Sequence, residues 1–197
     1  MTANEPRRRD IIHLVTIGTA IAGVGALGWA IGKGSGGPAG ARIEPSLIDI
    51  SDLAEGQQIK ILVGTSPVFI RHRTAAEISA AQAVDISDLY DPQTDAERLR
   101  PQVDGRFDPS ILVLIGACTH AGCVPVEEAG DFEGWFCPCH SSHFDTSGRV
   151  RKGPAAFNMK IPNYSWVDET TLSFPHPMRP FSDADADALR CPDTNHA

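Results

Sequence analysis

Two short segments concentrate side chains that bind metals: Cys118-Thr119-His120-Ala121-Gly122-Cys123 and Cys137-Pro138-Cys139-His140-Ser141-Ser142. Residues 124–136 separate them, enough for a hairpin-like excursion that returns the second box to the first. In Cys118-x-His120 the two side chains lie an even number of positions apart and share one face of an extended segment. In Cys137-x-x-His140 a curled loop lets the first and last residues converge. Taking one Cys and one His from each box leaves Cys123 and Cys139 over, again one per box. Three chemistries fit this inventory. A zinc site of two Cys and two His is one, although the usual Cys-x2–4-Cys and His-x3–5-His halves are missing. Two disulfides with incidental histidines are another. The third is an iron–sulfur cluster held by two Cys on one iron and two His on the other.

Short apolar runs bounded by turn residues must position the boxes. Residues 59–64 (IKILVG), 67–73 (PVFIRHR), 111–117 (ILVLIGA), 134–138 (GWFCP) and 170–174 (TTLSF) read as strands. Residues 74–84 read as one short helix, and 95–100 as a further turn. Eighteen glycines and fifteen prolines favour turns and short strands. No repeat period is present. The expected class is therefore mainly β, with an antiparallel sandwich- or barrel-like packing. A net charge of −8 argues against nucleic acid, which calls for a basic footprint. Residues 175–197 are polar and acidic and read as an unstructured tail, in which Cys191 is an odd thiol.

The N-terminus reads as a membrane anchor. Ile11 to Gly32 is 22 residues without a full charge, about 33 Å of helix against a hydrocarbon core of about 30 Å. Arg7, Arg8 and Arg9 precede it, so the N-terminus is expected in the cytoplasm and the bulk of the chain outside. Arg8-Arg9 followed by one spacer and an apolar run also reads as a twin-arginine export signal. The run is longer than a cleavable signal core, which favours a retained anchor. Residues 34–45, rich in Gly and Ser, read as a flexible tether. The expected organisation is an anchor over 1–33, a hinge over 34–45, an external domain over 46–174 and the tail over 175–197.

CTHAGC and CPCHSS resemble the paired boxes of the Rieske iron–sulfur proteins. DPQTDAERLR, GDFEGWF, SGRVRKGPA and VDETTL also resemble stretches of the Rieske subunit of proteobacterial and mitochondrial ubiquinol–cytochrome c reductase; the insert 101–110 and the tail do not. The resemblance implies a base fold with an inserted cluster-binding subdomain over about 116–147. It implies a [2Fe–2S] cluster with Cys118 and Cys137 on one iron and His120 and His140 on the other, and a disulfide between Cys123 and Cys139. It implies that His140 meets quinol and accepts its proton in a pocket on cytochrome b, and that the head then swings to pass the electron to cytochrome c1. Such complexes are dimeric, sit in the bacterial inner membrane with the Rieske domain periplasmic, and translocate protons. Replacing two thiolates by neutral imidazoles raises the potential, to about −150 to +300 mV against about −400 mV for plant-type ferredoxins. Ser142 aligns with a serine that tunes the cluster, and Gly153-Pro154 with the loop that covers it. The small subunit of an arsenite-type molybdenum oxidase and a surface zinc module are the competing readings.

This chain departs from the pattern at four places: Phe144 for tyrosine, Ser141 for glycine, Ala121 for leucine and Ala156 for proline. His143 matches no ligand and reads as an exposed or hydrogen-bonded loop residue. Phe144 cannot donate the hydrogen bond that a tyrosine gives a ligand sulfur, and each lost donor disfavours the more negative reduced state. Phe144→Tyr is therefore expected to raise the reduction potential in a redox titration; an unchanged or lower potential would contradict this.

Overall fold

The computed structural model describes residues 45–189; the expectations for the anchor, nearly all of the hinge, and Cys191 fall outside them. The described strands are β1 (Ser46–Asp49), β2 (Gln58–Val63), β3 (Ser66–His72), β4 (Ile111–Ile115), β5 (Val126–Glu127), β6 (Glu133–Cys137), β7 (Ser142–Asp145), β8 (Val150–Lys152), β9 (Ser165–Trp166), β10 (Thr171–Phe174) and β11 (Met178–Pro180). They form three antiparallel sheets, ordered β1-β10-β9, β11-β2-β3-β4 and β5-β6-β7-β8.

The middle sheet explains the apolar runs of β3 and β4. Successive side chains on a strand point to opposite faces, and here both faces are covered. Val68, Ile70, Ile111 and Val113 join Ile61, Val63, Trp166, Leu172 and Phe174 in one core. Phe69, Leu112 and Leu114 join Cys118, Trp135, Cys137, Phe144 and Met159 in a second. Each such side chain contributes about 1.5–3 kcal/mol on burial. The second core carries the metal boxes. β8 completes the β5–β8 meander, with Val150 fully buried in the second core.

Helix α1 (Ala75–Gln82) begins at Thr74, which forms a capping box with Glu77. The strap that follows, residues 83–110, holds two short 3-10 turns, Ile86–Asp88 and Ala96–Arg98. Two of its charged side chains, Asp95 and Arg98, are buried. Arg73 Nη1 donates to Asp95 Oδ1 at 2.7 Å, and Ser147 Oγ donates to the same oxygen at 2.6 Å. Arg149 Nε donates to Asp145 Oδ2 at 2.9 Å. Arg98 donates to Gln93 Oε1 at 2.7 Å and to the Met159 carbonyl. Burial brings its guanidinium down to about 10, still high enough to stay charged at neutral pH.

The tail departs from expectation. Residues Met178–Pro180 pair with Ile61–Val63 at the outer edge of β2, and Asp183–Ala188 forms helix α2, capped by Ser182. An edge strand offers unpaired backbone groups, and β11 uses them; Pro180 is tolerated because it sits on the new edge. Arg179 clasps Asp185 through two bonds of 2.6 Å.

Asp95→Ala would strand the buried Arg73 guanidinium and the Ser147 hydroxyl. The expected loss is about 3–5 kcal/mol, read from the urea unfolding midpoint; a loss under about 1 kcal/mol would contradict the network's role.

Candidate metal centre

The first box leaves the middle sheet directly. After β4 the chain passes Gly116, where a Cβ would lie 2.3 Å from the Phe69 ring, so only glycine lets it turn there. The box then closes on itself: Cys118 N–H donates to the Cys123 carbonyl and Gly122 N–H to the Cys118 carbonyl, each at 2.8 Å. The second box is the loop between β6 and β7. Cys137 and Ser142 are paired across the two strands, and Ser141 takes the positive φ (59°) that closes the turn.

The four candidate ligands are sorted by burial. Cys118 and Cys137 are 3% and 1% exposed, whereas His120 and His140 are exposed at the surface. The two imidazoles meet edge to face with ring centroids 4.6 Å apart. Both sulfurs sit in one buried core, and each thiol shifts the other. The neighbouring Cys137 side chain is the largest cause lowering the Cys118 thiol, helped by the N–H groups of His120 and Ala121 and by the Ser142 side chain, against burial. The Cys118 side chain and burial push the Cys137 thiol up. Two converging thiols inside and two converging imidazoles outside fit a two-iron cluster with mixed ligands.

The sulfurs of Cys123, Cys137 and Cys139 also lie within 4.8 Å of one another. This trio is a weaker ligand set, because it omits Cys118 and both exposed imidazoles. Cys123 is a free, buried thiol, while Cys139 is disulfide-bonded, so the two are close but not joined to each other here.

The surrounding residues form a tight shell. Ser142 is fully buried, and its hydroxyl accepts the Ala155 N–H at 3.2 Å. Gly153 has φ +96°, and a Cβ there would fall 2.4 Å from the Ser141 carbonyl oxygen. The loop that follows, with Pro154 exposed, therefore lies directly against the second box. Phe144 is fully buried in the core that holds Cys118, Cys123 and Cys137.

Sequence reasoning misplaced His143 and missed several partners. His143 is hydrogen-bonded, as one of the two expectations had it, but it is neither exposed nor in a loop. It lies on β7, 7% exposed, packs edge-on against Phe136 at 4.9 Å, and its Nδ1 accepts the Asp131 N–H at 3.0 Å. All four β7 residues are buried, so no alternation marked the strand. Thr119 was also missed: its hydroxyl donates to the Phe157 carbonyl, tying the first box to the covering loop. Asp91, Gln93 and Asn158 were missed as partners of that loop.

Residues 89–165 match the Rieske [2Fe-2S] domain. The ubiquinol-cytochrome c reductase iron-sulfur subunit of Blastochloris viridis is 43% identical over 173 residues, 85% of this chain and 92% of that protein. The cytochrome b-c1 complex subunit Rieske, mitochondrial, of Candida albicans is 52% identical over 125 residues, 64% of this chain and 55% of that protein. Among solved structures, a chain of a hyperthermophilic respiratory Complex III aligns with 82% of this chain and 97% of its own, at 22% identity and a TM-score of 0.42.

Proposed function

The chain belongs to the family of ubiquinol–cytochrome c reductase iron–sulfur subunits, and from that premise we propose that it carries one electron and a coupled proton out of quinol. It is the Rieske electron-transfer subunit of a cytochrome bc1-type complex. The observation that carries the reading is the pairing of two sulfurs buried in one core with two exposed, adjoining imidazoles.

Cys118 and Cys137 would hold one iron, and His120 and His140 the other. The bound [2Fe–2S] cluster supplies a one-electron acceptor of high potential. Each ligating imidazole keeps a second ring nitrogen, and the exposure of His140 leaves its ring accessible to a quinol hydroxyl. That nitrogen accepts the hydroxyl hydrogen bond and then the proton, while the buried sulfurs stay out of water. Cys123 and Cys139, whose sulfurs lie within 4.8 Å of each other, would form the staple between the boxes by thiol–disulfide exchange, the Cys123 thiolate attacking the Cys139 sulfur and releasing its present partner as a thiol. Ser142, Phe144, Gly153 and Pro154 would tune the cluster, the first two from the core beside the sulfurs and the last two from the covering loop.

The partners follow from the same premise. Quinol is met on a cytochrome b subunit, and the electron leaves to a cytochrome c1 subunit, within a dimeric complex of the bacterial inner membrane. Residues 1–33 would anchor the chain, with the Rieske domain periplasmic. The segment 34–45, rich in Gly and Ser, would let the head move between its two partners.

Electron paramagnetic resonance of the reduced complex, purified through this subunit, tests the reading. The expected result is a Rieske-type signal together with b- and c-type haem, with the signal lost in His140→Ala. A silent spectrum with bound zinc, or co-purified molybdopterin without haem b, would contradict it.

A further inference from the structure

β2 lies between β11 and β3, so without β11 it would be the bare edge of the middle sheet. The pairing fixes which backbone groups that edge would offer. Gly64 N–H donates to the Pro177 carbonyl at 2.8 Å, and Phe181 N–H donates to the Lys60 carbonyl at 3.3 Å. Bonded pairs alternate along an antiparallel ladder, so the bonded residue between them is Leu62, whose partner in register is Arg179. The outward groups of β2 are therefore those of Lys60, Leu62 and Gly64. Ile61 and Val63 belong to the first core; Met178 stands opposite Val63 and packs against that core, and Pro180 stands opposite Ile61.

This edge is self-complementary. A second copy run antiparallel, with Leu62 opposite Leu62, would set Lys60 against Gly64 and Ile61 against Val63. Ile61, Leu62 and Val63 of that copy would take the places of Met178, Arg179 and Pro180. The far side of β11 offers no such edge. The strand is three residues long. The alternation turns the backbone groups of Met178 and Pro180 away from β2, and proline has no N–H to give. Arg179 is held by Asp185, and α2 adds Asp183 and Asp187 beside it. Short strands, proline and charge are what keep sheet edges from pairing.

We infer that residues 177–188 are an intramolecular guard: β11 occupies the β2 edge with which a second copy of this chain would otherwise pair. The pairing it prevents is isologous, the same strand on both copies related by a two-fold axis. The guard itself rests on the β2 pairing and not on the metal centre. Its consequence rests on the dimeric complex proposed above. Two heads tethered in one complex meet at an effective concentration on the order of millimolar, and strand pairing would hold both away from their partners. With the edge occupied, each head stays free to move.

Leu62→Cys in the full-length chain tests this by register. Residues of a bonded antiparallel pair have Cα atoms about 5.5 Å apart, a separation that a disulfide spans. The introduced thiols therefore cross-link two copies where their β2 edges pair about position 62. The guard is opened in two ways. Arg179→Pro removes the N–H facing Leu62 and the clasp on Asp185; a stop after Phe174 removes the strand itself. After oxidation by air, a non-reducing gel is expected to show about tenfold more cross-linked pair in each opened chain than with the guard intact, the factor that about 1.4 kcal/mol makes in an equilibrium. The same chains with Leu62 kept give the background from the native cysteines. No rise above that background in either opened chain, with its Rieske-type spectrum retained, overturns the inference. A rise in chains whose complex gives no Rieske-type spectrum supports the guard and overturns the proposed function alone.

Discussion

Burying the sulfurs of Cys118 and Cys137 side by side in one core requires two loops from different sheets to meet closely. Cys118 follows β4 of the middle sheet, and Cys137 ends β6 of the meander. Sheets that merely touched through apolar area would not fix that register, since burial is non-directional. Directional contacts supply it. Phe69 of the middle sheet stacks with Trp135 of the meander at 6.4 Å. Trp135 Nε1 donates to Gln58 Oε1 at 3.1 Å. Ion pairs Lys60–Glu127 at 2.8 Å and Arg71–Glu128 at 2.9 Å close the same seam.

The strap does the same work on the opposite side. It carries no long strand, yet its Asp95 and Gln93 meet Arg73, Arg98 and Ser147 in the interior. Buried charges at this density are costly unless each has partners. Here the partners lie just after β3, on the strap itself, in the β7–β8 turn and at the end of the covering loop, so satisfying the charges also fixes those elements relative to one another. The result is a centre whose two sulfurs are buried and whose two imidazoles are exposed.

Much of this was legible in the sequence, for identifiable reasons. β2, β3, β4, β6 and β10 coincide with the apolar runs, because packing into the two cores dictates their composition, and α1 falls within the expected helix. The two boxes were legible from their residue types and their likeness to a family. β7 was not, because SHFD is buried through polar as well as apolar side chains. β11 was not, because its pairing depends on an open edge that composition does not reveal. The Asp91–Asn158 contact was not, since a buried polar residue carries no mark of a partner 67 positions away. The resemblance had pointed to the strap without giving its physical task.

The central claim is the division of ligands: two thiolates on one iron, two imidazoles on the other. Mössbauer spectroscopy of the protein loaded with iron-57 tests it most directly. The account predicts two inequivalent iron sites in equal amounts, with the added electron on reduction localised on the imidazole-bound site. Two equivalent thiolate-bound irons, or a single iron species, would contradict it.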